Sequence, residues 1–81
     1  MFWILRKDVT DVMRGYEVTL WHDETFYNDK ERAEFKFSNT LEFYKLGQWV
    51  VEKKEGFYVV LHDKREPSKK MTMAIVESDF S

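Results

Sequence analysis

Ala33-Glu34-Phe35-Lys36-Phe37-Ser38-Asn39-Thr40-Leu41-Glu42-Phe43-Tyr44-Lys45-Leu46-Gly47 is the stretch whose conformation decides the fold. Its first part alternates, with Ala33, Phe35 and Phe37 separated by Glu34 and Lys36, which is the period of a half-buried strand. The remainder admits two conformations. If Ser38-Asn39-Thr40 forms a hairpin loop, Phe37 pairs with Leu41 and Phe35 with Phe43, while Lys36 meets Glu42 on the other side. The protein is then an all-β small barrel. If Asn39 is a helix cap, Glu42 follows at the third position, Lys45 falls in the last turn and Gly47 ends a short helix over about 40–46. We prefer the helix, because start and stop signals then agree at both ends. The expected fold is α+β: a mostly antiparallel sheet of five to six strands with one short helix on one face, the small barrel being the alternative.

Outward from this stretch the strands are easier to place. Phe2 to Lys7 is rich in β-formers, and Asp8 to Gly15 then turns polar, as in a single helical turn capped by Thr10 or Asp11 and closed by Gly15. Tyr16, Val18 and Leu20 alternate with Glu17 and Thr19 until Trp21 breaks the pattern. Asp23 to Arg32 is polar apart from Thr25-Phe26-Tyr27 and reads as a loop or an irregular helical turn. Gln48 to His62 has the form of a hairpin. A three-residue loop Lys54-Glu55-Gly56 pairs Lys53 with Phe57, Val51 with Val59 and Trp49 with Leu61, whereas a Glu55-Gly56 loop mixes the faces. Asp63 to Lys70 holds the only proline and reads as a solvated loop, Met71, Met73 and Ile75 mark a last strand, and Glu77 to Ser81 is a polar tail carrying Phe80.

A chain of 81 residues accommodates one domain, 1–81, around one core. Aromatic residues make up 17% of it, and large rings let a short chain bury enough apolar surface to fold without staples. The absence of cysteine removes disulfides, thiolate nucleophiles and cysteine metal sites, and suits a cytoplasmic protein. Met1-Phe2-Trp3-Ile4-Leu5 gives way at once to Arg6-Lys7, unlike a signal peptide or a membrane span. Net charge is −2 and dispersed, though His22 to Glu34 is locally acidic and His62 to Lys70 locally basic.

Chemical motifs are sparse. The segments Gly15 to Asp23 and Gly56 to Asp63 each end in His-Asp, so His22, Asp23, His62 and Asp63 are weak candidates for a shared metal or proton site. Strand punctuation explains the same residues more simply, and no metal or cofactor is expected. The serines lack a nucleophile elbow, and the three isolated glycines make no phosphate loop. Enzymatic function is therefore not expected. Stacking of single-stranded nucleic acid on Trp3 beside Arg6 and Lys7, or on Tyr58 near Lys53, Lys54 and the Lys64-Arg65 loop, is the alternative function, disfavoured by the net charge.

The preferred expectation is a protein-interaction module. Trp and Tyr dominate interface energetics, and Trp3, Trp21, Tyr27 and Tyr58 are the expected contact residues, for another protein or for a second copy in a homodimer. Small, cysteine-free, aromatic-rich chains of this type look like the accessory proteins of bacteriophages and mobile elements, many of which bind and inhibit a host protein. No motif carries that likeness to a particular family.

Overall fold

A computed structural model describes residues 1–78 and shows five antiparallel strands and one helix in the order ββαβββ. The strands are β1 (Phe2–Met13), β2 (Tyr16–Tyr27), β3 (Trp49–Glu55), β4 (Tyr58–Asp63) and β5 (Lys70–Ser78), and helix α1 spans Lys30–Leu46. The sheet order is β2-β1-β5-β4-β3, so α1 carries the chain from one edge of the sheet to the other. The sheet is open, with β2 and β3 as its edges, and the small barrel is excluded.

The helix is more than twice as long as expected. Residues 33–37, read as a strand from their alternation, lie within its first half, and its cap is Asp29 rather than Asn39. The Asp29 carboxylate accepts from the Glu31 N–H at 3.0 Å, satisfying one donor of the open first turn. At the other end the Gly47 N–H reaches the Tyr44 carbonyl at 3.1 Å, and Lys45 sits in the last turn as expected. Gly47 has φ −95°, so its glycine identity supplies no left-handed conformation there. What selects the helical period is the spacing of Ala33, Phe37 and Leu41, whose buried side chains recur every fourth residue. Phe37 and Leu41 join Leu5 and Val9 of β1, Val59 and Leu61 of β4, and Met71 and Met73 of β5, which share one face of the sheet, in one core cluster. Phe57 meets Phe37 edge-on, with ring centroids 5.4 Å apart.

β1 continues through Asp8 to Met13, where a helical turn was expected, because β2 pairs with it along its length. Arg14 and Gly15 close that hairpin with φ of 54° and 82°, the two positive values of a type I′ turn. Leu20 is an extra residue: Val9 opposes Trp21 and Thr10 opposes Thr19, so the break in alternation at Trp21 marks a β-bulge. β2 also absorbs Asp23 to Tyr27, which had read as part of a loop. In the β3–β4 hairpin the loop is Gly56-Phe57, and Glu55 opposes Tyr58, Val51 opposes Leu61 and Trp49 opposes Asp63. Neither register expected from sequence occurs, because the turn falls later, at Gly56-Phe57, and a bulge at Glu52 then offsets the outer half of the ladder by one residue. Gly56 does supply the expected positive φ, at 55°. The tail expected from Glu77 begins inside β5, and Phe80 lies outside the described residues.

The 64–69 connection is anchored by Asp63, the one buried charged side chain among the described residues. Its carboxylate accepts from the Arg65 N–H at 2.7 Å and the Glu66 N–H at 3.2 Å, and the Arg65 bond above all holds its pKa below the ordinary aspartate value. The molecule is elongated. Its radius of gyration is 13.4 Å, against roughly 11.7 Å for a compact chain of this length. β5 pairs with β1 only from Phe2 to Thr10, which leaves the end of the β1–β2 hairpin as a two-stranded ribbon beyond the sheet.

Candidate interaction surfaces

The four aromatic residues expected at an interface do not form one patch. Trp3 and Tyr27 oppose each other across β1 and β2 on the helix side of the sheet and are half-buried, with Tyr27 packed against the core. Trp21, on the same side, is 45% exposed, and the Lys7 ammonium stands 5.6 Å from its ring centroid. Tyr58, on the opposite face beside Ala74 of β5, is 40% exposed. Of the basic residues expected near it, Lys53 and Lys54 lie beside it on β3, opposite Val60 and Val59, whereas Lys64 and Arg65 follow the far end of β4, roughly 17 Å along the strand.

Nor are the two His-Asp pairs brought together. His22 lies on β2 and His62 on β4, with β1 and β5 between them, a separation of roughly 14 Å across the sheet. Alternation sends Asp23 and Asp63 to the face opposite their histidines. Among the described residues no group of three or more His, Asp or Glu side chains is placed to hold a metal ion.

Each histidine instead joins an ionic cluster on the sheet face away from the helix. The register stacks Asp8 opposite His22 and Arg6 opposite Glu24. His22 Nδ1 bonds the Asp8 carboxylate and its Nε2 lies 3.1 Å from Glu24 Oε1, which also accepts Arg6 Nε at 3.3 Å. The Asp8 hydrogen bond, supported by Glu24, raises the His22 pKa above its ordinary value. With a carboxylate at each ring nitrogen, His22 is suited to remain imidazolium, and it presents no free lone pair to a substrate proton or a metal. Across the same face, Glu52 lies 3.1 Å from His62 Nδ1 and 3.4 Å from Lys70 Nζ. The His62 contact is misaligned for a hydrogen bond, and that nitrogen is shielded from solvent without a partner among the described residues.

The most exposed large apolar side chains on the helix were not expected from sequence. Phe35, Phe43 and Leu46 are 64%, 71% and 88% exposed. On a wheel of 3.6 residues per turn, Phe35 and Leu46 point almost directly away from the Ala33, Phe37 and Leu41 stripe, and Phe43 lies to one side. Phe43 and Leu46 also border a cleft of about 420 Å³ at the end of the helix, with Tyr44, Gly47, Gln48 and Trp49 completing its wall. The signal that would have found them is the helical period itself. Once 30–46 is a helix, three large apolar residues are left over on its far side.

A third apolar group lies at one corner of the uncovered sheet face, where Phe26, Ile4 and Val76 stand side by side on β2, β1 and β5. The accessible surface of the chain is 5794 Å², against roughly 5,200 Å² for a folded monomer of its mass of 9.9 kDa. No helix among the described residues is long and apolar enough to cross a membrane. No protein-family model matches the chain, and no curated protein or solved structure shows significant similarity to it.

Proposed function

We propose that this chain is a non-enzymatic protein-interaction module of the small accessory type, which acts by occupying and inhibiting a partner protein. The observation that carries this reading is the outward side of α1, where Phe35, Phe43 and Leu46 face solvent and the last two border the cleft that ends at Trp49. Isolated exposed apolar residues are ordinary, but several on one face of one helix, next to a concave wall, form the apolar centre that an interface requires. Trp21 and Tyr58 are the exposed members of the aromatic set named from sequence, but they lie apart from this face, Trp21 on edge strand β2 and Tyr58 on the sheet face away from the helix, and Trp3 and Tyr27 are half-buried.

The ion pairs weigh against the nucleic-acid alternative. Arg6, Lys7, Lys53 and Lys70 each have a carboxylate within 4 Å, so a phosphate backbone would have to displace protein partners to reach them. The test compares the protein with a Phe35→Ser, Phe43→Ser, Leu46→Ser triple variant, using affinity capture from the native host and sedimentation equilibrium of each protein alone. The module reading expects the variant to fold and to lose the captured partner, or to lose self-association if the partner is a second copy. Unchanged association by the folded variant refutes it.

A further inference from the structure

The two edges of the sheet are built differently. β3 is a guarded edge: seven residues long, bent by the bulge at Glu52 and carrying Lys53 and Lys54, the devices by which sheets resist unwanted pairing. β2 has little of this. Its twelve residues Tyr16–Tyr27 contain no Lys, Arg, Pro or Gly, and Trp21 to Tyr27 run without interruption beyond the bulge at Leu20. About half of the backbone N–H and C=O groups of an edge strand point away from its neighbour. None of the turn, loop and cap backbone hydrogen bonds among the described residues involves residues 16–27. The outward groups of β2 are therefore open along a strand that needs no rearrangement to accept another.

Charge selects the occupant. β2 carries Glu17, Asp23 and Glu24 and no basic residue except His22. Residues 2–27 hold five carboxylates against Arg6, Lys7 and Arg14, so this region is acidic by two charges with His22 neutral and by one with it protonated. A second β2 laid against the first would set acidic strand against acidic strand, which is unfavourable for directly opposed side chains. A strand carrying cations is attracted instead. On the helix side it meets Asp23, whose Oδ2 is already 3.5 Å from Lys7 Nζ, and the exposed ring of Trp21, from whose centroid the same ammonium stands 5.6 Å, so an incoming cation shares this carboxylate and ring with Lys7. On the other side it meets Phe26, 57% exposed, where an apolar residue packs.

We propose that the outer edge of β2 takes up an extended partner segment, alternating Lys or Arg with apolar residues, as a sixth strand of the sheet. This goes beyond the helix-face reading, and each can fail without the other. The probe is an acetylated and amidated nine-residue peptide of alternating Val and Lys, compared with the same peptide carrying Glu for Lys and with a Lys peptide N-methylated at every second residue. Binding is followed by amide NMR shifts and hydrogen exchange. The expected result is that the Lys peptide binds at least tenfold more tightly than either control and slows exchange of alternate amides within Trp21 to Tyr27 at least tenfold. Asp23→Asn should weaken it severalfold, and the Phe35, Phe43, Leu46 triple variant should bind it unchanged. The proposal is overturned if the Lys peptide does not bind, if the Glu peptide binds equally, or if the N-methylated peptide binds as well, since the last would mean charge attraction without strand addition. It is equally overturned if sedimentation shows that β2 pairs with a second copy, or that β2 and the lysine-bearing β3 join copies head to tail.

Discussion

Phe35 and Phe37 lie two residues apart, and replacing each with alanine should have very different consequences. In a strand the two share a face and cost alike; in α1 they are about 200° apart around the axis. Phe37 is 1% exposed and meets Phe57 edge-on, so Phe37→Ala should cost about 3 to 5 kcal/mol through lost transfer energy, a cavity and the aromatic contact. Phe35 keeps about a third of its surface covered, worth about 1 kcal/mol. Alanine's better helix propensity returns about 0.5 kcal/mol, leaving a net change below about 0.5 kcal/mol. A domain of this length has a stability of about 4 to 12 kcal/mol, so the first variant approaches unfolding and the second is nearly silent. Urea titration followed by tryptophan fluorescence separates them. With a slope near 1 kcal/mol per M, Phe37→Ala should lower the midpoint by about 3 M or more and Phe35→Ala by less than about 0.5 M. Losses equal within about 1 kcal/mol would refute the helical assignment of 33–37 and restore the hairpin.

The caps give a second contrast: Asp29→Ala should cost about 1 kcal/mol by thermal melting, whereas Asn39→Ala, at an exposed position inside the helix, should be neutral or slightly stabilising. Asp63 has a lowered folded-state pKa, so its contribution is present above the ordinary aspartate value and is lost as pH falls through the folded value; Asp63→Asn should flatten the acid limb of a melting curve measured from pH 2 to 6. His22 has a raised pKa, so its contribution is complete below the ordinary histidine value and disappears as pH rises through the folded one. An NMR titration should place His22 above 6.5, and His22→Gln should abolish the stability change on that alkaline side. Arg14 holds φ 54° without being glycine, and Arg14→Asn, which suits that conformation, should raise stability by up to about 1 kcal/mol in chemical denaturation.

The residues by themselves determined most of the sheet. Met71, Met73 and Ile75 alternate and do lie in β5, Val59 and Leu61 reach the core from β4, and Gly56 turns the hairpin with positive φ. They also determined that a helix ends at Gly47 with Lys45 in its last turn. Local chemistry fixes these features: a period of two, a glycine without Cβ, a cation near the helix carboxyl end.

Tertiary structure decided the rest. The pattern of 33–46 supports both periods, because Phe35 and Phe43 are apolar on a face that the core does not use, and only burial of Ala33, Phe37 and Leu41, the last two in the core with β1, β4 and β5, selects the helix. Asp8 and Asp11 look like turn residues in isolation, yet β2 holds them in a strand, where Asp8 bonds His22 and Asp11 accepts the Ser68 hydroxyl at 2.8 Å. The bulges at Leu20 and Glu52 shift register by one residue, which no ladder counted from a loop outward can anticipate. The interaction surfaces follow the same division. That large rings outnumber what a small core hides is a matter of composition, but which rings are left outside depends on the conformation of 33–46 and on which strand ends at the edge of the sheet.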